Sequence, residues 1–127
     1  MKYGYTKEVA VDFALAIARV KEELMKEGFG TLFELNIADT LKKKLDVELG
    51  QYVILGACNP PFAYKALQAE PEIGLLLPCN VIVYEKGGVV SISAIVPSVA
   101  MGVVENNALA DIALEVEMKL KRAVDAV

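Results

Sequence analysis

Two runs rich in β-branched residues, Val81–Glu85 and Val89–Val96, are separated only by Lys86-Gly87-Gly88. A link this short, with two glycines to take up positive φ, reverses the chain, so residues 81–96 predict an antiparallel hairpin. In its second arm Val90, Ile92, Ala94 and Val96 alternate with Val89, Ser91, Ser93 and Ile95. That pattern predicts a strand largely covered on one face and partly covered on the other.

The rest of the chain supplies strands and covers. Tyr3, Tyr5, Lys7, Val9 and Val11 alternate with more polar neighbours and predict a first strand. Asp12 is placed to cap a helix whose stripe is Phe13, Ile17, Val20 and Leu24, and Gly28 ends it with Phe29 folding back on Leu24. Phe29–Leu35 predicts a second strand, with Phe29, Thr31, Phe33 and Leu35 on one side. Asn36 then caps a short helix carrying Ile37, Leu41 and Leu45, with Asp39 paired to Lys43. Gln51–Ala57 is a third strand, and Asn59 caps a helix that stops at Glu70-Pro71. Pro97-Ser98 opens a short helical turn. Asn107 caps the last helix, which buries Leu109, Ile112, Val116, Leu120 and Val124 and pairs Glu115 with Lys119. The expected fold is a single α+β domain over residues 1–127. Its mostly antiparallel sheet of about five strands is covered by the first and last helices; a parallel βαβ start is the alternative.

Several functions are excluded by what the sequence lacks. Without histidine there is no Ser-His or Cys-His nucleophile pair and no His-ligated zinc. No Walker loop or complete G-x-G-x-x-G is present, and Ser91, Ser93 and Ser98 have no S-x-x-K partner. A net charge of -4 and a single basic run, Lys42-Lys43-Lys44, flanked by Asp39, Asp46 and Glu48, argue against nucleic acid. Apolar runs are short and the N-terminus has no signal-like segment, so the expected place is the cytoplasm, without a membrane or a cofactor.

What remains is a repeated pair: Cys58-Asn59 in LGACNPP and Cys79-Asn80 in LPCNVIV. Pro60 and Pro61 give no N–H to an anion, so the junction at Asn59 is built for geometry rather than phosphate. If the third and fourth strands are antiparallel neighbours, both Cys-Asn pairs meet at one rim of the sheet. Cys58, Asn59, Pro60, Tyr64, Pro78, Cys79 and Asn80 are therefore the candidate binding residues, with Asn80 tying the 71–78 loop. The thiols read first as buried and inert. The rival reading is a redox or soft-metal site using Cys58 and Cys79.

Residues 54–85, ILGACNPPFAYKALQAEPEIGLLLPCNVIVYE, resemble the signature of the domain-of-unknown-function family numbered 302, and KEGFGTL at 26–32 matches an earlier element of it. The resemblance implies a compact α+β domain similar to the TATA-binding-protein class, a curved sheet backed by helices. It directs attention to Gly56, Cys58, Asn59, Pro60, Leu77, Pro78, Cys79 and Asn80, and it implies no activity. The expectation is a non-catalytic binding or interaction module for an unidentified small molecule or protein. Val99, Met101, Val103 and Val104 offer an apolar contact for a homodimer.

Overall fold

The computed structural model describes residues 2–127. In chain order the elements are β1 (Gly4–Val9), α1 (Phe13–Lys26), β2 (Gly30–Asn36), α2 (Ile37–Leu45), β3 (Tyr52–Cys58) and α3 (Pro60–Ala69). A 3-10 turn (Pro71–Leu76), β4 (Cys79–Lys86), β5 (Val89–Ile95), α4 (Pro97–Ala100), a second 3-10 turn (Met101–Val103) and α5 (Ala108–Asp125) follow. The strands form one sheet in the order β1-β5-β4-β3-β2. Every neighbouring pair is antiparallel, so the parallel alternative does not occur.

One face of the sheet carries the core. Val83 lies opposite both Val53 and Ile92, and Val81 opposite both Leu55 and Ala94. These side chains are buried with Ala16, Val20 and Leu24 of α1 and with Val116, Leu120, Ala123 and Val124 of α5. The stripes of the first and last helices thus do the covering that their spacing predicts. Tyr5 donates to an Asp125 carboxylate oxygen at 2.7 Å, and Lys7 donates to main-chain oxygens of Asp125 and Val127. The end of α5 is fastened to the β1 edge.

The helix boundaries follow local chemistry. Asp12 accepts from the Leu15 amide at 2.8 Å, and Asn36 from the Asp39 amide at 3.0 Å. At the end of α1 the Gly28 amide donates to Met25 and the Phe29 amide to Leu24, a Schellman closure that needs Gly28 at φ +88°.

Three local expectations fail for identifiable reasons. Asn107 makes no capping bond; Asn106 does, accepting from the Ala108 amide at 3.0 Å while donating to the Ala69 carbonyl at 2.8 Å. Lys42 binds Asp46 and Glu48 from the C-terminal side of α2, and Lys121 binds Glu117; neither Asp39–Lys43 nor Glu115–Lys119 forms an ion pair. In β2 the register shifts between Thr31, opposite Ala57, and Phe33, opposite Gly56. This bulge moves Phe33 and Leu35 to the face opposite Thr31, so the four residues expected on one side are split between two.

The segment expected to meet a partner is mostly interior. Met101 joins a second small core with Ala66, Ile73, Leu109 and Ala113, and Val104 packs against it. Only Val103, 78% exposed, is fully at the surface.

Candidate functional site

The register brings both Cys-Asn pairs to one end of the sheet. Cys79 is the partner of Ala57, one residue before Cys58, and Asn80 is the partner of Gly56. The chain makes this return because α3 runs back from β3 and the 3-10 turn at 71–76 carries it round to Pro78, across a cis Leu77–Pro78 bond.

Asn59 does not cap α3. Its Nδ2 donates to the Glu27 carbonyl at 3.1 Å, across 32 residues, and the residue is only 8% exposed. With Pro60 and Pro61 at the first two helical positions there are few N–H groups to cap, and the side chain serves the end of α1 instead. A Cβ on Gly28 would come to 3.0 Å from Asn59 Nδ2, so the left-handed glycine also makes room for this tie.

Behind this junction is a cavity of about 340 Å³, near the lower end of small-molecule sites. Cys58, Asn59, Pro78 and Cys79 are among its walls, together with Phe62 and Leu67 of α3 and Ile112 and Val116 of α5. None of its lining residues carries a charge. Asn59 is the one polar side chain other than the thiols, and its Nδ2 is already engaged with Glu27. Leu32, the bulge residue of β2, closes the outer side and is 64% exposed. The bulge gives β2 its local re-aiming at this point, as bulges beside binding sites commonly do.

Pro60 and Tyr64 do not reach the cavity; Pro60 is exposed and Tyr64 is 66% exposed on the outer side of α3. Asn80 is exposed too and lies in a second hollow of about 430 Å³, with Phe33, Leu75 and Ile95, on the other side of the Leu77–Pro78–Cys79 segment. The candidate residues therefore divide into four on the cavity, one on the neighbouring hollow and two outside. Leu32, Phe62 and Leu67 carry no site signal in the sequence, since apolar residues at helical or strand spacing look alike whether they fill a core or line a hole, and Met101, expected at a subunit contact, lines the cavity instead.

Burial pushes the Cys79 thiol up to about 11, and the nearby Cys58 sulfur adds to the effect. At neutral pH Cys79 is a protonated, apolar wall atom and a poor nucleophile. Cys58 is half-buried and the more accessible of the two free thiols.

A five-stranded antiparallel sheet with α1 and α5 on one face and an uncharged cavity at one end defines a small α+β domain. The family model of the domain of unknown function DUF302 matches residues 5–127, and the chain belongs to that family. It is similar to a crystal structure of an uncharacterized conserved DUF302 protein from Bacillus stearothermophilus, at 31% identity and a TM-score of 0.94, covering 99% of this chain and 98% of the other. No curated protein matches the sequence. Among the described residues no helix is long and apolar enough to cross a membrane.

Proposed function

We propose that this protein is a non-catalytic binding module whose ligand is a small, uncharged, largely apolar molecule held in the cavity between β3, α3, β4 and α5. The observation that carries the reading is the lining: about 340 Å³ walled by uncharged residues, with the one amide already engaged. Charged or strongly polar ligands would lose their hydration there with nothing to replace it. An apolar ligand gains from removing Phe62, Leu67 and Leu77 from water.

Titration with N-phenyl-1-naphthylamine, a neutral fluorescent probe, tests this. The expected result is saturable 1:1 enhancement that Ala63→Phe, which fills the cavity, reduces at least tenfold without loss of folding. Equal binding to both proteins, or none to either, sinks the reading.

The thiol-based alternative has one observation in its favour, that Cys58 and Cys79 share the cavity wall. The raised Cys79 value opposes it. Copper(I) titration separates the two: stoichiometric binding abolished by Cys58→Ser would favour the alternative.

A further inference from the structure

Three hollows meet around the second small core, and Met101 is the one residue common to the walls of all three. Two of them are the cavity and the hollow beside Asn80. The third, of about 600 Å³, lies between the 3-10 turn at Met101–Val103 and the start of α5. The partitions differ. Between the cavity and the Asn80 hollow stand Leu77, Pro78 and Cys79 as well as Met101, a continuous stretch of main chain. The walls of the cavity and of the third hollow share Met101 alone.

Met101 is suited to move. It is buried, and its unbranched thioether side chain turns about three bonds where a β-branched one is stiff. Next to it Gly102 adds no side chain, and nothing lies within 4 Å of the place a Cβ there would take.

The third hollow differs from the cavity in chemistry, since Glu105, Asn106 and Asn107 are among its walls. The Asn106 amide is engaged with the Ala69 carbonyl, the Glu70 carboxylate and the Ala108 amide. Asn107 is exposed and makes no capping bond. Glu105 is exposed and has no ion pair among the described residues. A carboxylate and an amide both accept from an O–H donor, while the carboxylate repels an anion.

We infer that Met101 determines which ligands the cavity takes: its side chain swings aside to join the cavity to the third hollow, and the ligand is a flexible apolar chain ending in a neutral hydroxyl. The inference rests on the binding reading above and names the ligand class for the same site. The chain lies in the uncharged cavity and passes Met101, and its hydroxyl reaches Asn107 and Glu105. A chain of the same length ending in a carboxylate is rejected, because it would bring a second negative charge to Glu105.

The test is isothermal titration calorimetry of the full chain with n-alkanols from pentanol to decanol. Each further methylene buried should raise affinity about fourfold, and in the wild-type chain the rise should continue to decanol. Met101→Ile, close in volume but stiff at χ1, should leave pentanol binding within about threefold and weaken decanol binding by about tenfold or more. Met101→Leu, a well-tolerated swap, should do the same to a lesser degree and serves if the isoleucine variant does not fold. Decanoate should bind the wild type about tenfold or more weaker than decanol. Asn107→Ala, at an exposed position, should weaken decanol about fivefold and leave pentanol unchanged. Equal decanol binding by the wild type and the Met101 variants, decanoate binding as tight as decanol, or no alkanol binding overturns the inference. If N-phenyl-1-naphthylamine still binds and Ala63→Phe still weakens it, the cavity reading survives that failure; if the probe does not bind either, both readings fall.

Discussion

The ring of Phe33 occupies the space where a side chain on Gly56 would begin. A Cβ built on Gly56 would lie 2.3 Å from Cε2 of that ring and 2.6 Å from Cζ. The two residues are opposite one another in the β2–β3 register. A glycine within a strand loses more chain entropy on folding than other residues, and here the absent side chain is what admits the aromatic cover.

Gly56→Ala should therefore destabilise the fold by about 1–3 kcal/mol, the usual range for overpacking, despite the better strand propensity of alanine. Urea unfolding measures it. In a Phe33→Ala background the same change should cost much less, and the double-mutant cycle should give a coupling above about 1 kcal/mol. Additive effects would mean that the ring moves aside freely.

Asn59→Ala removes the donor to the Glu27 carbonyl and opens a gap beside Gly28. A loss of about 1–2 kcal/mol is expected, with Asn59→Asp no better, because a carboxylate would face a carbonyl oxygen. If Asn59→Ser were neutral, the long side chain reaching Glu27 would not matter.

Cys79 fixes an alkaline limit. Its folded value of about 11 stands above the ordinary 9.0, so the folded state holds the proton where the unfolded chain gives it up. The stability associated with the neutral thiol is intact below about pH 9 and is lost as pH rises toward 11, by up to about 3 kcal/mol. Cys79→Ala should flatten that decline in a pH series of melts. Ellman's reagent should label Cys58 first, and Cys58→Ser should speed the labelling of Cys79 at high pH by removing the neighbouring negative charge.

Glu117 sets an acid limit. Burial alone would raise its value, but bonds from the Ser98 hydroxyl, Lys121 and the Ser98 amide outweigh burial and hold it low. Its contribution is present above the ordinary glutamate range and fades as pH falls through the lowered folded value. Glu117→Gln should lessen acid sensitivity at α4, read as amide exchange of residues 98–101. Unchanged exchange at pH 3 to 5 would show that the Ser98 contact adds nothing.

The parts of this fold legible in the sequence are those where one residue decides a local geometry. Asp12, Asn36, Gly28 and the Lys86–Gly88 turn each act within a few positions, and the two helical stripes repeat often enough to fix a face. The rim that gathers Cys58 and Cys79 was also readable, from strand lengths and the short return through residues 71–78. The bulge at Leu32 was not, because an extra residue in one strand is defined only by its partner's register. Asn59 misled for a related reason: an asparagine before a helix reads as a cap unless the distant carbonyl of Glu27 is known to be there. The cavity had no signal, since nothing in Phe62 or Leu67 distinguishes a wall from a filling.

The strand order also sets a timetable. β1 lies at one edge and pairs only with β5, while the other pairs, β2–β3, β3–β4 and β4–β5, join strands consecutive in sequence. During synthesis the first strand of the chain must wait for Val90–Ile95 before it has anything to bond to. β4 and β5 close by a tight turn, and β2–β3 and β3–β4 each across one intervening helix, whereas Thr6 and Ser93 are 87 residues apart; contacts closer in sequence form faster than distant ones. We predict that β1 docks last, with φ-values near zero for Thr6 and high values for Ile82 and Ile54. Until then the β5 edge stands open, and the interval between the two events is when this protein is most vulnerable to strand addition from a neighbouring chain.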